Sequence, residues 1–165
     1  GLRHKAGYNT GSVSASSQFA LYCLSNFFMP TFIAEVGTFI GKSLMSMVVP
    51  TKYYSDTLVT VHTCDMSNSM DIPHTNFDNN ADIIQHKGQL GSSSQMFDSI
   101  LNDPVMGADH STQLIHLDGR IEAKDVASIR SLASKSNGRM VIVLDDFEGI
   151  EKGFAKIKSA LVKLK

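Results

Sequence analysis

Apolar residues recur along this chain with two alternating spacings, one typical of strands and the other typical of helices. Short runs rich in β-branched residues predict strands, and stretches with apolar residues three and four positions apart predict the helices between them. The segments predicted as strands are TFIAEV (31–36), TLVTVHTCD (57–65), ADIIQH (81–86), TQLIHLD (112–118) and RMVIVLDD (139–146). Since strands and helices alternate, the pattern predicts an α/β layered fold with right-handed crossovers.

The predicted helices lie before, between and after the predicted strands and indicate how the chain is organised. The segments predicted as helices are SQFALYCLSNFF (17–28), GKSLMSMVV (41–49), QMFDSILND (95–103) and EAKDVASIRSLASKS (122–136), with one more after residue 150. RMVIVLDD is almost continuously apolar, which is typical of a strand buried on both faces of a parallel sheet. We therefore assign residues 1–30 to an N-terminal arm and helix, and residues 31–165 to a single α/β core.

Composition narrows the class of protein. The chain has 165 residues, 42% hydrophobic and 19% charged, with a net charge of −1. This near-neutral balance argues against a nucleic-acid partner. The sequence has no apolar run long enough to cross a membrane and no evident signal peptide. Cys23 and Cys64 are too few for a disulfide framework, so we expect two buried thiols and a cytoplasmic location.

The ends of the predicted strands carry the candidate ligand-binding residues. In open parallel sheets, ligands bind beyond the carboxyl ends of the strands. The residues at these ends are Glu35, Asp65, His86–Gly88, Asp118 and Asp145–Asp146. These acids favour a metabolite pocket over an anion-binding loop.

Gly41-Lys42-Ser43 invites a comparison with the phosphate-binding loop. That motif requires a further glycine five positions before Gly41, where the backbone curls around a phosphate. Val36 occupies this position, and Gly37 comes one residue late. The spacing therefore excludes the phosphate-loop interpretation.

The stretch FIAEVGTFIGKSLMSMV resembles the first motif of class I S-adenosylmethionine-dependent methyltransferases, in which an acid closes the first strand and glycines shape the following turn. Glycines there let the backbone approach the cofactor, where a side chain would collide. The resemblance implies cofactor contacts from Glu35, Gly37, Thr38, Gly41 and Ser43.

Later segments resemble the same family in the same order. LVTVHTCD is similar to the second strand, whose terminal acid, here Asp65, accepts hydrogen bonds from the ribose hydroxyls. DIIQHKGQLGSSSQMFDSI is similar to the third strand and its turn near the adenine, which implies contacts from Gly88 and Ser92. The alternative for GSSS (91–94) is a helix cap. The resemblance covers about residues 32–164 and implies a Rossmann-like three-layer sandwich, shortened at its C-terminus.

LIHLDGRIEAKDV and GRMVIVLDDFEGI resemble the fourth and fifth strands with their acidic ends. The branch that includes the catechol and macrolide-sugar O-methyltransferases often holds a divalent metal with acids at these positions. The resemblance thus implies Mg²⁺ ligands at Asp118, Asp145 and Asp146, with Asp118 also near the cofactor. The alternative is that these acids cap helices or accept backbone N–H bonds.

The sequence departs from the family in two respects. Relatives often have Asp-Gly-x-His after strand four, but Ile121 stands at the histidine position. The family core also has seven strands, whereas this chain stops after the helix that follows strand five.

His86, His110 and His116 are the candidate bases. His116 and Asp118 are the predicted catalytic residues, and their spacing of two places both on the same sheet face. The alternative for each histidine is a hydrogen-bonded structural role.

The leading functional hypothesis is O-methylation of a small hydroxylated metabolite or sugar, with or without metal assistance. The first alternative is a cofactor-binding module or pseudo-enzyme of the same fold without acceptor chemistry. The second is a nucleotide-binding α/β protein that is no methyltransferase. In the expected strand order 3-2-1-4-5, strand five is an apolar edge, so we also expect a homodimer.

Overall fold

The computed structural model describes residues 13–56, 58–67, 81–103, 112–119 and 121–145. Its helices and strands are α1 (Ala15–Phe28), β1 (Phe32–Val36), α2 (Lys42–Val48), β2 (Val59–Asp65), β3 (Ala81–Lys87), α3 (Ser93–Asn102), β4 (Thr112–Leu117), α4 (Ala123–Lys135) and β5 (Arg139–Leu144). Short 3₁₀ turns follow α2 (Val49–Tyr53) and β3 (Gly88–Leu90). The predicted helix after residue 150 lies outside the described residues.

The strands form one five-stranded sheet in the order β3-β2-β1-β4-β5, and every pair is parallel. This confirms the predicted α/β class and strand order. Its register places Glu35 of β1 between Thr63 of β2 and His116 of β4. Because side chains opposite each other in neighbouring strands lie on the same face, these three share one side of the sheet.

Two apolar cores separate the sheet from helices on either side. On one face, Phe32 of β1 is in a cluster with Phe97 of α3 and Ile129 of α4. On the other face, Ile33 of β1 is in a cluster with Leu21 of α1, and α2 contributes Leu44. The alternation along β1 therefore produces a three-layer, Rossmann-like sandwich. No helix among the described residues has the length and apolarity needed to cross a membrane.

Strand β5 is less buried than its apolar sequence predicts. Its central residues are only half buried, and Arg139 and Leu144 at its ends are exposed. The prediction of burial on both faces was therefore wrong. The reason is position, because β5 ends the sheet and pairs with β4 alone among the described residues.

The two cysteines lie in different environments, which corrects the expectation that both are buried. Cys23 is exposed on α1, whereas Cys64 is 1% exposed beneath α3. Burial raises the pKa of Cys64 to about 12, and the negative charge of Glu35 adds to this effect. The Cys64 thiol therefore stays protonated and a poor nucleophile near neutral pH.

A thiol reagent added to the folded protein should modify Cys23 quickly and Cys64 only after unfolding. The difference follows from exposure and from the raised pKa of Cys64, since the thiolate is the reactive form. Thiol titration with and without denaturant measures both reactions, and a Cys23→Ser variant should lack the fast reaction. Equal rates for the two thiols in the native protein would contradict the assignment.

Candidate functional site

A cleft of about 490 Å³ opens at the carboxyl edge of the sheet, on the face covered by α3 and α4. This volume is in the range of small-molecule sites. Of the predicted site residues, Gly37, Asp65 and Ser92 line the cleft. Gly91, at the start of α3, and Gly119, after β4, line it as well. The structure thus brings together the ends of three strands that are far apart in sequence.

The turn between β1 and α2 forms one wall of this cleft. Gly37 has φ 95°, and a Cβ atom there would lie 3.0 Å from the carbonyl carbon of Asp118. Gly41 is also left-handed, with φ 74°, and caps α2 without a side-chain bond. Thr38 is 2% exposed and hydrogen-bonds Thr63 and the Cys64 carbonyl oxygen. Gly37 therefore serves close packing of the turn against the end of β4.

Asp65 organises the end of β2. Its Oδ2 accepts a hydrogen bond from the backbone N–H of Phe39 at 2.6 Å, and its Oδ1 accepts one from Ser67 at 2.7 Å. A carboxylate offers about four acceptor positions, so these two bonds from described residues leave acceptor capacity on both oxygens within the described part of the chain. Asp65 thus fixes the glycine turn and still presents acceptors to the cleft.

The start of α3 forms the opposite wall. Ser92 caps this helix and accepts a hydrogen bond from the Gln95 N–H at 3.2 Å, as the helix-cap alternative predicted. Gly88 begins the preceding 3₁₀ turn with φ 65° and is not among the lining residues of the cleft. Lysine and glutamate side chains of the α4 start, Lys124 and Glu122, complete the rim.

A buried carboxylate that sequence analysis missed joins the two helices at the cleft. Asp125 is 0% exposed and accepts hydrogen bonds from Ser93 at 2.7 Å and Ser94 at 2.8 Å. It also accepts the Glu122 backbone N–H at 2.7 Å. The Glu-x-x-Asp spacing at the helix start was the available signal. The contacts to α3 depend on tertiary packing and have no local signature.

An Asp125→Ala substitution should lower the free energy of unfolding by about 3 kcal/mol or more, because hydrogen bonds to a charged group contribute roughly 1.5–3 kcal/mol each. Urea denaturation measures the change. Asp98→Ala on exposed α3 surface is the matched control, since its Lys124 contact at 3.8 Å is exposed. A surface pair of this kind contributes little. Similar losses in both variants would contradict the bridging role.

Glu35 lies beneath the sheet edge, on the α1–α2 face, rather than on the cleft. It is 0% exposed, and its Oε1 accepts a hydrogen bond from Ser43 Oγ at 2.5 Å. Its Oε2 accepts one from Thr63 Oγ1 at 2.9 Å, and His116 Nδ1 is 3.2 Å from Oε1. Glu35 and Ser43 thus belong to a buried polar cluster with Thr63 and His116.

The pKa of His116 is raised above the ordinary value for a histidine. Burial alone would lower its pKa, but the hydrogen bond and charge of Glu35, with Asp118 and Asp145 beyond, raise the pKa above 6.5. The contact with Glu35 uses Nδ1 and so orients the ring. The other ring nitrogen, Nε2, does not take part in this contact. His86, another candidate base, has its pKa lowered by burial and stacks against His62, with ring nitrogens 3.1 Å apart.

The pKa of His116 is expected to fall in a Glu35→Gln variant, because burial then acts without the compensating charge. A raised folded-state pKa stabilises the protein below the unfolded value of about 6.5, and this contribution is lost as pH rises through the folded pKa. NMR titration of the ring and urea denaturation at several pH values measure both effects. The stability difference between wild type and His116→Gln should shrink with rising pH. A difference that grows with pH would contradict a raised pKa for His116.

The acids predicted to bind metal follow adjacent strands. The backbone N–H of Asp118 donates to Val36 at 2.9 Å, and that of Asp145 donates to Leu117 at 3.1 Å. Asp146 and His110 lie outside the described residues. Within the described part of the chain, no group of three histidine, cysteine or acidic side chains is arranged to hold a metal ion. The metal site stays a prediction.

The fold and the cleft together define a Rossmann-like α/β protein with a ligand-sized site at the carboxyl ends of its strands. Neither the protein-family models nor the curated proteins searched contain a match to this chain.

Proposed function

We propose that this protein is an S-adenosylmethionine-dependent methyltransferase that O-methylates a small hydroxylated molecule. The observation that carries this proposal is the cleft of about 490 Å³ in which the glycine turn after β1 faces Asp65 at the end of β2. Both features stand where the resemblance of the sequence to the methyltransferase family places its cofactor contacts.

The residues of the cleft fit the parts of such a cofactor. The unused acceptor capacity of Asp65 suits two ribose hydroxyls, which are hydrogen-bond donors. Met66 borders the cleft with 75% of its surface exposed, and its polarizable side chain suits the face of a nucleobase. When bound, the cofactor supplies an electrophilic methyl group on a sulfonium. The chain's own tasks are to position the acceptor and remove its proton.

His116, the base predicted from the sequence, is 0% exposed and lies with Glu35 on the sheet face opposite the cleft, so it is not placed to take a proton from an acceptor in the cleft. The proposal therefore names no general base among the histidines. A Mg²⁺ ion held by Asp118, Asp145 and Asp146 is the metal-assisted form of the same proposal, and carboxylates suit that ion. Activity assays with added Mg²⁺ and with chelator distinguish the two forms.

A cofactor-binding module without acceptor chemistry is the second candidate. The observation that favours it is Ile121, which occupies the position of the family's histidine and is 4% exposed in the apolar core. No polar group from that position reaches the site. Cofactor binding without methyl transfer to any acceptor would support this candidate.

Calorimetric titration of S-adenosylhomocysteine tests the proposal. We expect saturable binding to the intact protein and a loss of tenfold to roughly hundredfold in Asp65→Ala, because charge-assisted hydrogen bonds contribute about 1.5–3 kcal/mol. Met66→Ala should weaken binding by a smaller factor without affecting folding, since its side chain is exposed. Exposed Asp56→Ala is the matched control. Absence of binding to the intact, folded protein would reject the methyltransferase proposal.

A further inference from the structure

Helix α1 carries apolar side chains on the side that faces away from the sheet. Its inner side packs on the sheet through Leu21, which is buried. On its outer side, Phe19 and Phe27 are 70% and 74% exposed, and exposed Cys23 lies midway between them. A spacing of four residues places these three side chains in one row along the helix, the outer row of α1. A helix that is apolar on both sides is typical of one that is buried on both sides.

The outer surface of α1 also lacks the charges found on the other helices. Ala15–Phe28 contains no acidic or basic residue, whereas α3 and α4 expose Asp98 and Lys124. A helix that binds a membrane surface usually carries lysine or arginine beside its apolar face, so α1 is not suited to that role. A second copy of α1, by contrast, would approach without repulsion between like charges.

The outer row is self-complementary about its centre. Phe19 and Phe27 lie four residues before and four residues after Cys23. Two antiparallel α1 helices, related by a two-fold axis near Cys23, would therefore place Phe19 of one copy beside Phe27 of the other. Rows of residues four apart are the ridges that interdigitate in the commonest class of helix packing, with axes about 8–10 Å apart. The small side chain of Cys23 at the centre permits this close approach.

The area of the outer face fits a weak dimer. An aromatic side chain buries about 150–250 Å², so the exposed parts of Phe19 and Phe27 from two copies supply roughly 600 Å². Ala20 and Asn26 are exposed on the same side and extend the contact towards about 1,000 Å², the lower limit for specific interfaces. Interfaces of this size are typical of transient association, so we expect a Kd on the order of 100 μM.

We propose that this protein forms an antiparallel, two-fold symmetric homodimer through the outer face of α1, with Phe19 of each copy packed against Phe27 of the other. The interface is on α1 rather than at the β5 edge, where the apolar sequence of that strand led us to expect it. The inference is independent of the methyltransferase proposal, because no residue of α1 lines the cleft.

Sedimentation velocity of the full chain, from about 1 μM to about 1 mM, spans the expected Kd and tests the proposal. Wild type should change from monomer to dimer over this range. Phe19→Lys should weaken association at least about tenfold, because it removes an aromatic anchor twice in a symmetric dimer. Ala127→Lys, on the exposed surface of α4, is the matched control and should dimerise like wild type. A wild-type monomer at about 1 mM, or unchanged dimerisation of Phe19→Lys, would overturn the proposal.

A paired variant tests the antiparallel arrangement. Phe27→Glu alone should also weaken association. Combined with Phe19→Lys in one chain, it sets opposite charges beside each other twice in an antiparallel dimer, so association should exceed that of either single variant. A double variant that associates no better than the single variants would overturn the arrangement. Both positions are exposed, so urea denaturation should show that each variant keeps the wild-type stability.

Cross-linking locates the two-fold axis. A short bis-maleimide, which adds to one thiol at each end, should link two wild-type chains through Cys23 at about 1 mM, where the dimer prevails. At about 1 μM the monomer prevails and Cys23 reacts singly. Cys23→Ser should give no linked dimer, because Cys64 is buried. A dimer in sedimentation whose Cys23 thiols fail to link would place the interface elsewhere and overturn the proposal.

Discussion

A Glu35→Ala variant is expected to lose about 3–5 kcal/mol of unfolding free energy, the range found when one member of a buried charged pair is removed. Glu35 is 0% exposed and accepts hydrogen bonds from the hydroxyls of Ser43 and Thr63 as well as facing His116 Nδ1. Truncation would leave these three buried groups without this acceptor near the carboxyl ends of β1, β2 and β4. Each buried group left unsatisfied costs about 1–3 kcal/mol.

Urea denaturation of wild type, Glu35→Ala and Glu35→Gln measures this effect. Glutamine keeps the shape and one acceptor oxygen but loses the charge, so we expect a smaller loss than for alanine. Asp56→Ala, which removes an exposed acid, should change stability by less than about 0.5 kcal/mol. A Glu35→Ala variant as stable as wild type would mean that the buried cluster does not hold β1, β2 and β4 together.

A Gly91→Ala variant is expected to lose about 1–3 kcal/mol, the usual cost of overpacking, and to weaken binding in the cleft. A Cβ atom at Gly91 would lie 2.0 Å from the carbonyl oxygen of Asp65, 2.6 Å from its carbonyl carbon and 3.0 Å from Lys87 Cα. All three are backbone atoms at the ends of β2 and β3. The start of α3 must therefore move away from the strand that carries Asp65.

Gly119→Ala is the matched control for this contact. Its added Cβ would meet Val36 Cγ1, a side-chain methyl group, at 2.8 Å, and a side chain can reorient where a backbone cannot. We expect Gly119→Ala to be less destabilising than Gly91→Ala in urea denaturation. Titration with S-adenosylhomocysteine then reports the effect on the cleft. The reverse order of stabilities would show that the approach of α3 to Asp65 is less rigid than the structure indicates.

The sequence alone was sufficient to predict the fold class. Apolar periodicity located all five strands within a few residues, because a buried parallel strand and an amphipathic helix have different repeats. It also placed Asp65 at a strand end, and the resemblance to the methyltransferase family placed Gly37 in the turn after the first strand. Both residues line the cleft, where ligands of parallel sheets are expected to bind. Ser92 was identifiable as a helix cap because a serine just before a helix can accept one of its free backbone N–H groups.

Tertiary structure decided which residues face the cleft, which are buried beneath it, and how they pair. A repeat of two residues shows that Glu35 and Val36 point to opposite faces, but not which face meets which helix. Hence Glu35, predicted at the site, lies in a buried cluster with His116, and Asp125 bonds to serines on a distant helix. Tertiary structure likewise decided that Cys23 is exposed on α1 and that β5, at the end of the sheet, is half buried. A cavity lined by α1 and the ends of β4 and β5 joins segments more than 80 residues apart, and no local pattern encodes that packing.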